Sequence, residues 1–171
     1  LPVSAVNNMV GLAGDGSPLR DVLNEAARVG PDQMAQELVN GIALGRNPVQ
    51  VARRAIRMGL GQSFTRMQTI ARTEMLRTYR VTTQTAYQNS NVVVGYRRLS
   101  ARDDRTCPGC LMADGRFYPL GTNFEAHVNC RCALVPVLRN VPPVQFQTGQ
   151  EWFRQQPEAT QRRILGPGRY D

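Results

Sequence analysis

The sequence predicts an α+β protein: a mainly helical N-terminal half, then a small β module stapled by a cysteine cluster, then a C-terminal arm with a short helix. Three observations predict it. Apolar residues recur at helical spacing as far as residue 90. At Asn91 the pattern changes to β-branched and aromatic runs. All four cysteines and the single histidine fall between Cys107 and Cys132. The chain divides on this reading into an extended arm over 1–16, a helical region over 17–90, a β module over 91–140, and a linker and helix over 141–171.

Each element has its own signal. Residues 1–16 hold Asn, Gly and Ser without periodicity and read as an arm. Ser17-Pro18 is an N-cap followed by a proline at the first helical position, and Gly30 ends that helix. Pro31 opens the next helix, with Met34, Leu38 and Ile42 inward and Gly41 and Gly45 near its end. Asn47-Pro48 repeats the cap-and-proline signal, and Val49, Ala52, Ile56 and Leu60 follow at helical spacing. Ser63 caps the longest helix, Phe64 to Asn89. Its inner stripe is Met67, Ile70, Ala71, Met75 (or Glu74), Thr78 and Val81.

Val92 to Ser100 reads as a strand. Asp114-Gly115 is a turn signal flanked by Leu111-Met112 and Phe117-Tyr118, which predicts a hairpin. Cys132 to Leu138 reads as the last strand. Pro142-Pro143 marks a linker, and Glu151 to Leu165 a single short amphipathic helix containing Trp152, Phe153 and Ile164.

The 171 residues suffice for one medium domain with a real core. The chain starts at Leu1 and reads as part of a longer polypeptide. It shows no apolar run long enough to span a bilayer and no signal-peptide pattern, so a soluble protein is expected, cytoplasmic or packed inside a particle.

All 21 basic residues are Arg, and the net charge is +8. Arg-only usage fits a GC-rich genome; guanidinium forks also suit phosphate and carboxylate recognition. The charge is uneven: residues 1–45 carry −3, 46–139 carry +10, and 140–171 carry +1. Such a basic middle suits nucleic acid or the acidic face of a partner protein, and part of it simply solvates helix surfaces.

The cysteines form the pattern Cys-x2-Cys-x16-His-x2-Cys-x-Cys, with candidate ligands Cys107, Cys110, His127, Cys130 and Cys132. This is zinc-ligand spacing. Pro108-Gly109 supplies the tight backbone that lets two thiolates face one ion. A tetrahedral zinc takes four of the five candidates. Cys107 and Cys110 come first. If 130–132 is extended, Cys130 and Cys132 point to one face and serve together; otherwise His127 takes one place. Disulfides are the competing reading, disfavoured without an export signal. The metal is expected to be structural, because a catalytic zinc needs an open position and a general base, and no His-Glu-x-x-His pattern occurs.

These residues carry a family resemblance. Gln68 to Glu74 (QTIARTE) resembles the Ile-Ala-Arg-Thr-Glu helix of the phage Mu F-like minor head proteins. Asp104 to Cys110 (DRTCPGC) is similar to their Asp-Arg-Thr-Cys-x-x-Cys, Asp114 to Tyr118 (DGRFY) to their Asp-Gly turn, and His127 to Cys132 (HVNCRC) to their His-Pro-Asn-Cys-Arg-Cys. Gly41 to Gly45 and Trp152 to Pro167 resemble flanking segments. The sequence departs from the family pattern at Val128 and at Glu125-Ala126, where prolines are usual.

The resemblance implies a minor head protein, present in the virion inside the capsid near the portal and in the host cytoplasm during assembly. It implies work in head assembly and in DNA packaging or delivery. Its implied partners are the portal protein, the major capsid protein and, through the Arg-rich surface, packaged DNA, with no membrane and no small-molecule substrate.

Other functions fit the residues less well. A general zinc-containing nucleic-acid-binding module is the alternative, but no recognition helix follows the knuckle and stacking aromatics are sparse. A His-Asn-His nuclease or a Ser-His-Asp hydrolase needs a histidine beyond the one in the cluster. Arg72 and Glu74 lie within one helical turn without a following Glu-x-Glu, so an ion pair or a helix-to-knuckle hydrogen bond is expected there, not catalysis. Arg131, between two cysteines, should point away from them toward Glu74, Asp103 or Asp104. Trp152 is read as core or as a docking anchor.

Overall fold

The computed structural model describes residues 31–60, 63–142, 144–145 and 147–166. The arm over 1–16 and the helix expected after Ser17-Pro18 lie outside the described residues. The chain divides into two compact units. One runs to Thr82 and includes Ala126–Asn129; the other holds Thr83–Glu125 and the residues from Cys130 onward.

The first unit is helical. α1 spans Pro31–Ala43, α2 Pro48–Arg57, and α3 begins at Phe64 and extends to Gln88. Asn47 caps α2 as its sequence indicates: Val49 N–H donates to Asn47 Oδ1 (2.8 Å), and Asn47 N–H donates to the Gln50 side chain (3.3 Å). Ser63 Oγ accepts from Arg66 N–H at the start of α3. Gly45, at φ +61°, supplies the left-handed residue that stops α1.

The core joins Met34 and Leu38 of α1, Val51, Ala52 and Ala55 of α2, Leu60, and Met67, Ile70 and Ala71 of α3. Thr78 is buried too, while Met75 and Val81 are half-buried. The buried face of α2 is rotated from the expected one, since Val51 and Ala55 are buried while Val49 and Ile56 are only half-buried. Close helix approach explains the rotation. A Cβ on Gly41 would stand 2.5 Å from Val51 Cγ2, so Val51 fits where α1 lacks a side chain. Arg80 of α3 is buried as well, only 4% exposed.

A buried acid joins the first two helices. Glu37 is 3% exposed and receives Arg46 Nη1 (3.2 Å) on one oxygen and Arg54 Nε (3.0 Å) on the other.

The second unit is built on a three-stranded antiparallel sheet of order β2-β1-β3, with β1 Val93–Leu99, β2 Phe117–Pro119 and β3 Ala133–Leu138. Tyr96 of the central strand faces Tyr118 on one side and Pro136 on the other. It stacks on Tyr118 (5.4 Å between centroids), and its hydroxyl donates to Thr122 O (2.9 Å). Gly95 is required where it stands, because a Cβ there would meet the Phe117 ring and Tyr118 O at 2.5 Å. From the last turns of α3, Gln84 donates to Thr122 O and Tyr87 to Leu134 O.

Two expectations are corrected here. Residues 111–112 are not a hairpin strand. Pro108–Ala113 forms a short helix, α4, and Asp114-Gly115 links it to β2. Pro108 at the first helical position and the Cys107 sulfur, which accepts from Cys110 N–H, start that helix. Asp114 is 2% exposed and acts as a latch, accepting from Ser100 N–H (2.5 Å) and Arg102 Nε (2.8 Å). Nor is 151–165 a single helix. α5 spans Gly149–Arg154 and α6 spans Glu158–Leu165, with Pro157 between them. Proline has no N–H to continue the ladder, and the Thr148–Glu151 capping box moves the first start upstream.

Replacing Glu37 with Ala should cost about 1–3 kcal/mol of stability, the usual range for removing a buried hydrogen-bonding partner. Urea denaturation measures it, and Glu37→Gln, which keeps one acceptor, should cost less. Equal stability of Glu37→Ala and the parent would show that the two arginines contribute nothing through this acid.

Candidate metal centre

The four cysteines converge in the second unit. Cys107 stands at the N-cap of α4 and Cys110 in its first turn, where Cys110 N–H donates to Cys107 Sγ at 3.3 Å. That bond bends the Cys-Pro-Gly-Cys backbone so that both sulfurs turn to one side. Cys130 and Cys132 come from the segment that leads into β3. Asn129, at φ +61°, makes the turn into it, and Asn is among the few residues that accept this conformation cheaply. Cys130 and Cys132 are both buried while Arg131 between them is not, which is the alternation of extended chain.

Cys110, Cys130 and Cys132 have their sulfurs within 4.8 Å of one another, and Cys107 and Phe124 pack against them. Among the described residues no disulfide joins the four cysteines. The Cys110 and Cys130 sulfurs are 3.9 Å apart, well beyond the roughly 2.05 Å of a disulfide. The sulfurs of Cys130 and Cys132, and then burial, push the Cys110 thiol far above its ordinary range. Sulfurs packed this closely resist ionising together, and a divalent cation removes that penalty. The donor set is soft, buried except for the half-buried Cys107, and of a number that would suit zinc.

His127 is exposed. It lies in the 126–129 stretch that groups with the helical unit, and its Nδ1 is 2.7 Å from Val128 O. In the same stretch Asn129 N–H donates to Thr73 Oγ1 (3.1 Å), a hydrogen bond from the α3 motif to the turn before Cys130. Within the second unit, Cys110, Cys130 and Cys132 form a group that could hold a metal ion.

One residue of the site escaped the sequence reading. Arg98 of β1 is 8% exposed. Its Nη2 donates toward Cys110 Sγ (3.4 Å) and Cys130 Sγ (3.5 Å), and its Nη1 donates to Glu125 O (2.8 Å). The guanidinium carbon lies 4.5 Å from the centre of the Phe124 ring. Strand alternation was the available signal. Arg98 stands two residues from Tyr96, which is buried in the same strand. A buried guanidinium needs anionic or strongly accepting neighbours, and here two sulfurs supply part of that need.

Arg131 points away from the sulfurs, as its position predicts. Of its three candidate partners it takes Asp103, with a bidentate pair of 2.7 and 2.6 Å. Asp103 also accepts from Thr106 Oγ1 (2.8 Å) and Arg105 N–H (3.1 Å). The Arg131 hydrogen bonds hold the Asp103 carboxyl well below the usual carboxylate range. Asp104 instead lies 3.7 Å from Arg163. Glu74 has Arg77 at 3.9 Å, and burial raises its carboxyl above the ordinary value.

A double-mutant cycle of Arg131→Ala and Asp103→Ala should give a coupling on the order of 1 kcal/mol, as for a well-aligned but partly exposed pair. Because the folded carboxyl titrates below its unfolded value of about 4, the coupling is fully present above that pH. It is lost as the pH falls through the lowered value. Additive single mutants at pH 7 would remove this pair from the account of the site.

Among comparisons with known proteins, the family model described as "Phage Mu protein F like protein" matches residues 32–135. No curated protein and no solved structure matches. The matched stretch takes in more than half of the chain. It includes the Ile70-to-Glu74 motif, all four cysteines, His127 and Arg98. The chain therefore belongs to the phage Mu F-like protein family.

Proposed function

We propose that this chain is a structural minor head protein of a tailed bacteriophage, carried inside the capsid near the portal and acting in head assembly and in DNA packaging or delivery. Family membership across residues 32–135 carries the reading. Its partners on this reading are the portal protein and the major capsid protein. Packaged DNA would meet the Arg-rich surface, to which exposed Arg53 and Arg57 of α2 belong. The segment 107–132 holds one structural zinc through Cys107, Cys110, Cys130 and Cys132. What supports this ligand set is that all four sulfurs belong to one unit and pack in one cluster, whereas His127 is exposed. The zinc would pin Cys110 of α4 to Cys130 ahead of β3, 20 residues apart along the chain.

Proheads and mature virions from the phage that encodes the chain test the first part. The chain should copurify with both at a few copies per particle, and a phage lacking it should yield defective heads. Its absence from both particles would sink the head-protein reading.

Elemental analysis tests the second part. Protein purified without added metal should carry about one zinc per chain, with thiols that titrate only after chelation. Any single Cys→Ser change should lower the zinc content, and His127→Ala should leave it unchanged. Zinc loss in His127→Ala would place the histidine among the ligands. Four freely titrating thiols in zinc-free parent protein would remove the metal centre and leave the family assignment standing.

A further inference from the structure

We infer that Arg98 is the outer positioning residue of the metal centre: its guanidinium hydrogen-bonds the ligand sulfurs of Cys110 and Cys130 and balances the negative charge of the thiolate–metal complex. The inference rests on the metal reading above. A zinc with four thiolates carries two net negative charges. Placing such a complex in a buried site is costly unless a cation or donors stand beside it. Arg98 supplies both.

Its arrangement is over-determined from several sides. β1 holds the backbone between two strands, with Arg98 opposite Leu134 in β3. Glu125 O accepts one guanidinium nitrogen at 2.8 Å, and the Phe124 ring lies against its carbon at 4.5 Å. The other nitrogen is thereby directed at one sulfur from each half of the ligand set, Cys110 at 3.4 Å and Cys130 at 3.5 Å. The two halves come from segments 20 residues apart, and the guanidinium bridges them. Partners that orient metal ligands in this way commonly change metal affinity by 10–100-fold when removed. Lysine cannot replace this function fully. Its ammonium keeps the charge but lacks the planar fork that reaches sulfur and carbonyl together.

The test compares the parent with Arg98→Lys and Arg98→Met, using zinc competition against a chromophoric chelator and cobalt(II) substitution. Arg98→Met should bind zinc about 10–100-fold more weakly, with Arg98→Lys in between. In cobalt-loaded protein the sulfur-to-cobalt charge-transfer band should move to lower energy in both variants, because thiolates that lose a hydrogen bond give up electrons more readily. That shift is read on the metal-loaded, folded fraction, so it survives a loss of stability in Arg98→Met, and a merely structural role would not produce it. Zinc affinities within twofold of the parent and an unmoved band would overturn the inference while leaving the metal centre intact. A parent that binds neither zinc nor cobalt would overturn the metal reading and this inference with it.

Discussion

The second unit depends on the convergence of cysteine sulfurs from two distant segments in one cluster. Between Cys110 and Cys130 the chain makes a turn, a three-residue strand and a long irregular stretch. That is too little regular structure to hold its own ends together. Loop closure over such a span is entropically unfavourable, and a short sheet that buries few of its apolar side chains offsets only part of it. The sulfur cluster, Arg98 and the Arg131–Asp103 pair supply the remaining constraints. They act at the same place, where α4 begins and β3 is entered.

The helical unit is held differently. Its core is ordinary, with medium apolar side chains and alanines that let helices approach closely. Among the described residues it also holds Glu37, buried beside the core and answered by Arg46 and by Arg54 of α2. Part of the basic charge of the middle segment is thus spoken for inside the fold: Arg46 and Arg54 by Glu37, Arg98 by sulfur and a carbonyl, Arg102 by Asp114, and Arg131 by Asp103. The surface available for DNA or an acidic partner is smaller than the net charge suggests.

Much of this was legible in the sequence because local signals were strong. Asn47-Pro48, Ser63 and the stripe from Met67 to Thr78 mark helix starts and faces by short-range rules, and the structure follows them. The cysteine spacing marked the cluster, and parity marked the outward turn of Arg131. The failures arose where a tertiary partner outweighed local preference. Asp114-Gly115 has the composition of a hairpin turn, but Asp114 is drawn inward by Ser100 and Arg102, and Cys107 caps a helix in place of the expected strand. The rotation of α2 came from the absent side chain of Gly41, a contact that no periodicity within α2 encodes. Arg98 was passed over because a charged residue in a strand is ordinarily assigned to the solvent face.

The single residue between Cys130 and Cys132 has a consequence for how this segment can drift. In extended chain, inward and outward positions are a matter of odd and even, so the two sulfurs share a side only while an odd number of residues separates them. Deleting Arg131 or inserting one neighbour would turn one sulfur outward, and a deletion would also strip Asp103 of its fork. By contrast, an insertion beside the exposed Asn123, where no strand or helix sets a register, can be absorbed as slack. Length variation in descendants of this sequence should therefore accumulate in the middle of the sulfur-bounded stretch and stop abruptly at its C-terminal end.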